Sequence, residues 1–130
     1  MAIKNDLYKK SIIKALYFAD TLSCNELSVK IGKSYTLVVK TLEALLKDGL
    51  VIEKGYAESR GGRRSMTYSL PADSFYTVAV AMDQFVTRIS IYNAHRQQIG
   101  DIQKHELLLD KHPNALGVLT SAIQTTITEA

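Results

Sequence analysis

The chain has 130 residues, of which 46% are hydrophobic and 22% charged, and its 16 Lys and Arg against 13 Asp and Glu give a net charge of +3. This composition is typical of one or two globular domains and excludes a disordered or collagen-like chain. No apolar run approaches the roughly 18–20 residues that span a bilayer, and the first ten residues lack the apolar stretch of a secretory signal. The single Cys24 excludes an internal disulfide and a multi-cysteine zinc site, so we expect a cytoplasmic protein.

The charge is unevenly distributed along the chain. Residues 1–70 hold 12 Lys and Arg and 7 Asp and Glu, a net of +5, whereas residues 71–130 hold 4 and 6, a net of −2. Because the first half is basic and the second mildly acidic, the charge distribution suggests that the first half binds a polyanion. The alternative at this point is that the asymmetry arises by chance.

A first helix is predicted to end near Asp20. Either Asn5 or Asp6 can cap its start. Its apolar residues recur near the helical period and are expected to form the buried stripe: Leu7, Ile12, Ile13, Leu16 and Tyr17.

Two further helices follow at close spacing. Ser23 and Glu26 have the spacing of a capping box, in which each side chain accepts a hydrogen bond from the other residue's amide. The short helix that begins there is closed by Gly32, which suits a left-handed position. Ser34 then caps a third helix, predicted over residues 35–48. Helix, short turn and helix in this order predict a helix-turn-helix unit.

A hairpin is predicted next, with strands over residues 50–54 and 66–70. The segment 59–64 between them reads Ser-Arg-Gly-Gly-Arg-Arg, a glycine-hinged tip with three arginines. A hairpin that follows a helix-turn-helix is a wing. Pro71 ends the second strand, so we predict a winged helix-turn-helix domain over residues 1–70 and a second domain over residues 71–130.

The second domain has the predicted order βββα, with elements over residues 76–82, 87–92, 99–109 and 114–128. Val78 and Val80 are expected to face inward from the first of these strands, and Ile89 and Ile91 from the second. The fold class is therefore α+β.

A helix-turn-helix places its second helix in the major groove of DNA, and arginines on a wing can enter the minor groove or bind phosphates. The residues predicted to contact DNA are Lys33 and Ser34 at the start of helix 35–48, Tyr35, Thr36, Val39 and Lys40 on its first turns, and Arg60, Gly61, Gly62, Arg63 and Arg64 at the tip. Taken separately, each feature has an alternative interpretation. Lys33 and Lys40 would then be ordinary solvated lysines, and the hairpin tip an ordinary exposed loop.

Nothing in the residues predicts catalysis. The three histidines, His95, His105 and His112, lack the spacing of a metal site, and Cys24 has no histidine in a matching motif. We therefore expect no enzyme activity, no cofactor and no metal site.

Several stretches resemble known regulators. Residues 26–32, Ser34 and residues 42–51 resemble many bacterial winged-helix repressors. The run 59–64, followed by Tyr-Ser-Leu at 68–70 and the strand at 76–83, resembles the ROK family of repressors and sugar kinases. Regulators of that family join a winged helix to a sugar-kinase domain of the actin-like ATPase type, which belongs to the ribonuclease H-like folds. The resemblance covers the whole chain and only the beginning of the family's length.

This resemblance implies a DNA-binding transcriptional regulator, expected to be a repressor of sugar-related genes. It implies double-stranded DNA and a second copy of the chain as partners, no membrane, and a cytoplasmic, nucleoid-associated location. A sugar or sugar phosphate is the implied effector only if the chain continues beyond residue 130. The alternatives are a winged-helix module that binds proteins instead of DNA, and the remnant of a ROK sugar kinase.

The chain departs from the family pattern at three places. Ser65 stands where the family usually has Pro, and Leu37 and Val39 replace Thr and Ser in the third helix. Asp83 and Thr87 match the family's phosphate motif, but Phe and Val at 85–86 occupy the positions of glycines whose amides would approach a phosphate. The motif is therefore degenerate, and we expect no kinase-type binding of ATP.

Overall fold

The computed structural model describes residues 2–58, 61–108 and 110–130 of the chain. The chain divides into two compact units, Met1–Ser74 and Phe75–Ala130. In the described ranges, four helices and two three-stranded antiparallel sheets give a mixed α+β protein, which agrees with the predicted class.

The N-terminal unit contains α1 (Ala2–Ala19), β1 (Leu22–Ser23), α2 (Cys24–Ile31), α3 (Tyr35–Lys47), β2 (Ile52–Tyr56) and β3 (Met66–Ser69). The C-terminal unit contains β4 (Thr77–Met82), β5 (Val86–Tyr92), β6 (Gln98–Glu106) and α4 (Ala115–Glu129).

The start of α1 differs from the prediction. The helix begins at Ala2, so Asn5 and Asp6 lie within it instead of capping it. Leu7 is 54% exposed and does not belong to the buried stripe, which is formed by Ile12 and Leu16 together with Ala15. The stripe is displaced because Ile12 and Leu16, four residues apart, fix the buried face of the helix, and Leu7 falls outside it.

The caps of α2 and α3 confirm the prediction. Ser23 Oγ accepts a hydrogen bond from the Glu26 amide at 3.2 Å, and Glu26 Oε2 accepts one from the Ser23 amide at 3.2 Å. Gly32 closes α2 with φ at +67°, and Ser34 Oγ accepts from the Leu37 amide at 3.3 Å at the start of α3. These local bonds fix both ends of the turn and therefore where α3 begins.

Replacing Gly32 with alanine is expected to destabilise the protein by about 1 kcal/mol, because a left-handed conformation places Cβ close to the following carbonyl. Apart from Gly32 itself and its two neighbours in the chain, no heavy atom lies within 4 Å of the added Cβ, so the effect isolates backbone strain. Chemical denaturation of the Gly32→Ala variant measures it. The control is Gly62→Ala, where the space is equally open and φ is not positive, and an equal loss in both variants would contradict the argument.

The helices of the N-terminal unit pack around one apolar core. Its fully buried side chains come from all three helices and from the chain after α3, namely Ile12, Leu16, Leu27, Val38, Leu42, Leu45, Val51 and Leu70. In α3 the buried positions 38, 42 and 45 follow the helical period, which leaves the opposite face to solvent.

The sheet of the N-terminal unit has the order β1–β3–β2. Its two-residue strand β1 was absent from the prediction, and it pairs Leu22 with Tyr68 and Ser23 with Thr67. The pairing of β2 with β3 shifts between Glu53 and Gly55, a bulge at which Gly55 has φ at +112°. The hairpin is therefore part of a sheet whose strand β1 directly precedes α2.

The C-terminal unit has the predicted βββα order, with β5 at the centre of the sheet. Ile89 and Ile91 are buried as predicted, and α4 contacts β5. The prediction for β4 was wrong in part, because Val78 is only half-buried and Val80 is exposed. Among the strands that the structure describes, β4 lies at the edge of its sheet and pairs with β5 alone.

Across the described part of the chain, none of the helices is both long and apolar enough to cross a membrane.

Candidate nucleic-acid interface

The first turns of α3 present polar side chains to solvent. Tyr35 is 52% exposed, and Thr36 and Lys40 are also exposed, as predicted. Val39 is half-buried, so it offers less surface than expected. This face is solvent-exposed because the buried positions of α3 point to the core from the other side of the helix.

Lys33 lies in the turn before α3 and is exposed. Its Nζ is 5.5 Å from the centroid of the Tyr8 ring in α1, which is a cation–π contact. The contact places the ammonium over a ring of α1, while the backbone of Lys33 directly precedes the cap residue Ser34. A positive charge near exposed helix amides suits an anion.

The hairpin between β2 and β3 carries the other predicted contacts. Gly61, Gly62, Arg63 and Arg64 are exposed, whereas Arg60 lies outside the described residues. The Ala57 amide donates to the Ser65 carbonyl at 2.8 Å, so the hairpin ladder extends beyond the ends of both strands. This places the two described arginines at the end of a hydrogen-bonded hairpin.

The fold brings the start of α3 and the hairpin to one groove of about 470 Å³, which we call the tyrosine groove. Tyr35 lines it from α3, and Arg63 and Arg64 line it from the hairpin. Asn25 of α2 and Tyr56 of β2 also line it, and neither was predicted. An aromatic residue close to a basic tip was the only signal for Tyr56 in the sequence, and Asn25 had none.

Cys24 and Tyr68 form an uncharged pair in the wall of this groove. Burial raises the pKa of the Cys24 thiol, although a hydrogen bond with Tyr68 acts in the opposite direction. Burial, followed by the neighbouring Cys24, raises the pKa of Tyr68 to about 12. Both groups are neutral at physiological pH, and a thiol with a raised pKa lacks the thiolate that nucleophilic chemistry requires.

Asp83 and Thr87, which the family resemblance assigns to a degenerate phosphate motif, lie at the β4–β5 hairpin. The Asp83 carboxylate accepts hydrogen bonds from the amides of Phe85 and Val86, both at 2.8 Å. These bonds, with Arg88 adding a smaller electrostatic effect, lower the pKa of Asp83. Thr87 is fully buried. The amides of Phe85 and Val86 thus already bind the protein's own carboxylate.

Within residues 2–58, 61–108 and 110–130, no group of three or more His, Cys, Asp or Glu side chains is placed to hold a metal ion.

The fold of the chain is similar to that of a solved structure. No protein-family model matches the chain, and no curated protein matches it. Among solved structures, the crystal structure of a ROK family transcriptional regulator, described as a homolog of the E. coli MLC protein, superimposes with a TM-score of 0.63. The chain has the fold of part of a ROK family regulator.

The superposition with the ROK regulator includes 99% of this chain at 13% sequence identity, a level at which the likeness concerns the fold. The chain spans about a third, 32%, of the length of that regulator. The fold relationship therefore agrees with the ROK resemblance drawn from residues 59–70 and 76–83.

Proposed function

We propose that this chain is the DNA-binding part of a transcriptional regulator, in which the N-terminal unit acts as a winged helix-turn-helix. The observation that carries the proposal is the tyrosine groove, where Tyr35 of α3 meets Arg63 and Arg64 of the hairpin. In a winged helix the recognition helix and the wing contact neighbouring parts of one duplex, so they must lie on one side of the protein. Here α3 is the recognition helix and the β2–β3 hairpin is the wing.

Each part has a role in this proposal. The exposed side chains of Tyr35, Thr36 and Lys40 face the major groove, and Val39 adds a small apolar surface that suits a thymine methyl group. Lys33 and Ser34 hold a phosphate at the helix start. Arg63 and Arg64 bind the backbone or the minor groove, where guanidinium groups are favoured.

The C-terminal unit is, in this proposal, the beginning of an actin-like ROK domain that senses an effector. Fold similarity to a ROK regulator supports this assignment. The same proposal includes a sugar or sugar phosphate as effector and repression of sugar-related genes. It also includes dimeric binding to a two-fold operator in the cytoplasm. The chain acts by binding and not by catalysis, which is consistent with the raised pKa of Cys24 and the occupied amides at Asp83.

Filter binding of a labelled duplex over a series of salt concentrations tests the proposal. Because each neutralised phosphate releases counterions, log Kobs should fall linearly with log salt, with a slope of roughly −0.9 per phosphate contact. A protein-binding module would show no such dependence, and that result would reject DNA binding. Radiolabelled phosphate transfer from ATP to hexoses, measured in parallel, should be at background.

A further inference from the structure

The tyrosine groove is lined largely by side chains that are able to donate hydrogen bonds. Five of its lining side chains can donate hydrogen bonds, namely Asn25, Tyr35, Tyr56, Arg63 and Arg64. None of the lining residues in the described part of the chain is an Asp or Glu. Several hydrogen-bond donors, two of them positively charged, make the groove suitable for an anion with several oxygen atoms.

The same two arginines border a second groove of about 450 Å³, which we call the acidic groove. It is lined by Glu26 and Glu58, together with Gly61 and Gly62. Glu26 accepts the Ser23 amide in the capping box, a bond that keeps its carboxylate in place. The two arginines therefore line one groove without an acidic residue and a second groove in which two glutamates offset their charge.

Both guanidinium groups are available to a ligand. Arg63 and Arg64 are exposed, and neither forms an ion pair with any residue that the structure describes. A guanidinium fork matches the oxygen atoms of a phosphate, and Tyr and Asn side chains commonly donate to DNA phosphates as well. The arginines therefore attract a phosphate more strongly in the tyrosine groove than in the acidic groove, where Glu26 and Glu58 offset their charge.

We propose that the tyrosine groove binds one backbone phosphate of DNA, and that Glu26 and Glu58 keep the strand out of the acidic groove. The inference rests on the proposed DNA binding and adds Asn25 and Tyr56 to the interface. It also assigns Glu58 an unexpected role: this residue lowers the affinity of the arginine pair for DNA and fixes the side on which the strand passes.

Asn25→Asp gives the sharpest test, because its effects on folding and on binding have opposite signs. Asn25 lies in the first turn of α2, where a carboxylate is favourable to the helix, so the variant keeps or gains stability. The same carboxylate would stand in the groove and repel the phosphate. We expect affinity for a fluorescein-labelled 30-base-pair random-sequence duplex to fall about tenfold, measured by anisotropy at several salt concentrations.

Glu58→Gln is the complementary variant and should bind the same duplex about two- to threefold more tightly. The matched control is Glu106→Gln, which makes the same charge change on β6 in the C-terminal unit. The control separates a local effect at the hairpin from the effect of net charge, and it should bind as the unchanged chain does.

The outcomes distinguish the two proposals. If the unchanged chain shows no salt-dependent binding, both are overturned. If it binds and loses affinity when Arg63 and Arg64 are replaced, yet Asn25→Asp binds normally, the phosphate groove is wrong and DNA binding stands. If Glu58→Gln matches Glu106→Gln, the exclusion of the strand by the acidic groove is wrong. Weakening by Asn25→Asp with tightening by Glu58→Gln supports the inference.

Discussion

Replacing both Arg63 and Arg64 with alanine is expected to weaken binding to duplex DNA at least tenfold, a loss on the order of 1–3 kcal/mol. Both side chains are exposed on the hairpin and line the tyrosine groove. Each neutralised phosphate contributes about 0.9 to the salt slope, and the tyrosine groove is proposed to hold one phosphate, so the slope should become shallower by roughly 0.9. Anisotropy titrations at four or more salt concentrations measure both quantities.

The double variant with lysine at both positions is the matched control. Lysine keeps the charge and loses the planar fork, so the salt slope should be retained while affinity falls less than with alanine. Thermal unfolding of both variants should match that of the unchanged chain, because exposed hairpin residues contribute little to stability. Unchanged affinity in the alanine variant would remove the hairpin from the interface.

Local signals in the sequence were sufficient for the helices around the turn. Ser23, Glu26 and Ser34 act through hydrogen bonds within three residues of themselves, and Gly32 acts through its own backbone angle. Such interactions are encoded by neighbouring residues and need no knowledge of the rest of the fold.

The features that the sequence did not predict depend on residues far apart in the chain. Strand β1 has only two residues, and it exists because Leu22 and Ser23 pair with Tyr68 and Thr67. A segment this short carries no periodic pattern, so only the partner strand defines it. Ser23 also caps α2, and the same residue therefore joins the sheet to the helix.

The candidate site shows the same division. Arg63, Arg64 and Lys40 could be predicted because their positive charge alone makes them candidates for DNA contacts. The groove, in contrast, forms only when α2, α3 and the hairpin pack together. Asn25 and Glu58 look like ordinary surface residues in the sequence. Their placement in two separate grooves, each lined by Arg63 and Arg64, is a property of the folded unit.

The interface also depends on the core that holds α2 against α3, and Leu27→Ala tests this dependence. Leu27 is fully buried in α2, which contacts both α1 and α3. Removing its side chain eliminates buried apolar surface and leaves a cavity, and such changes destabilise by about 2–5 kcal/mol. Urea denaturation of the full chain, followed by far-ultraviolet circular dichroism, measures the loss.

The control, Val29→Ala, lies two residues along the same helix and is 85% exposed. Its effect should stay within about 0.5 kcal/mol, since surface substitutions away from caps and networks change stability little. Because Asn25, Tyr35 and the arginines reach the groove from separate elements, we expect Leu27→Ala to lose DNA affinity in proportion to its unfolded fraction. Full affinity under conditions in which most of the variant is unfolded would show that binding does not require the packing of α2 against α3.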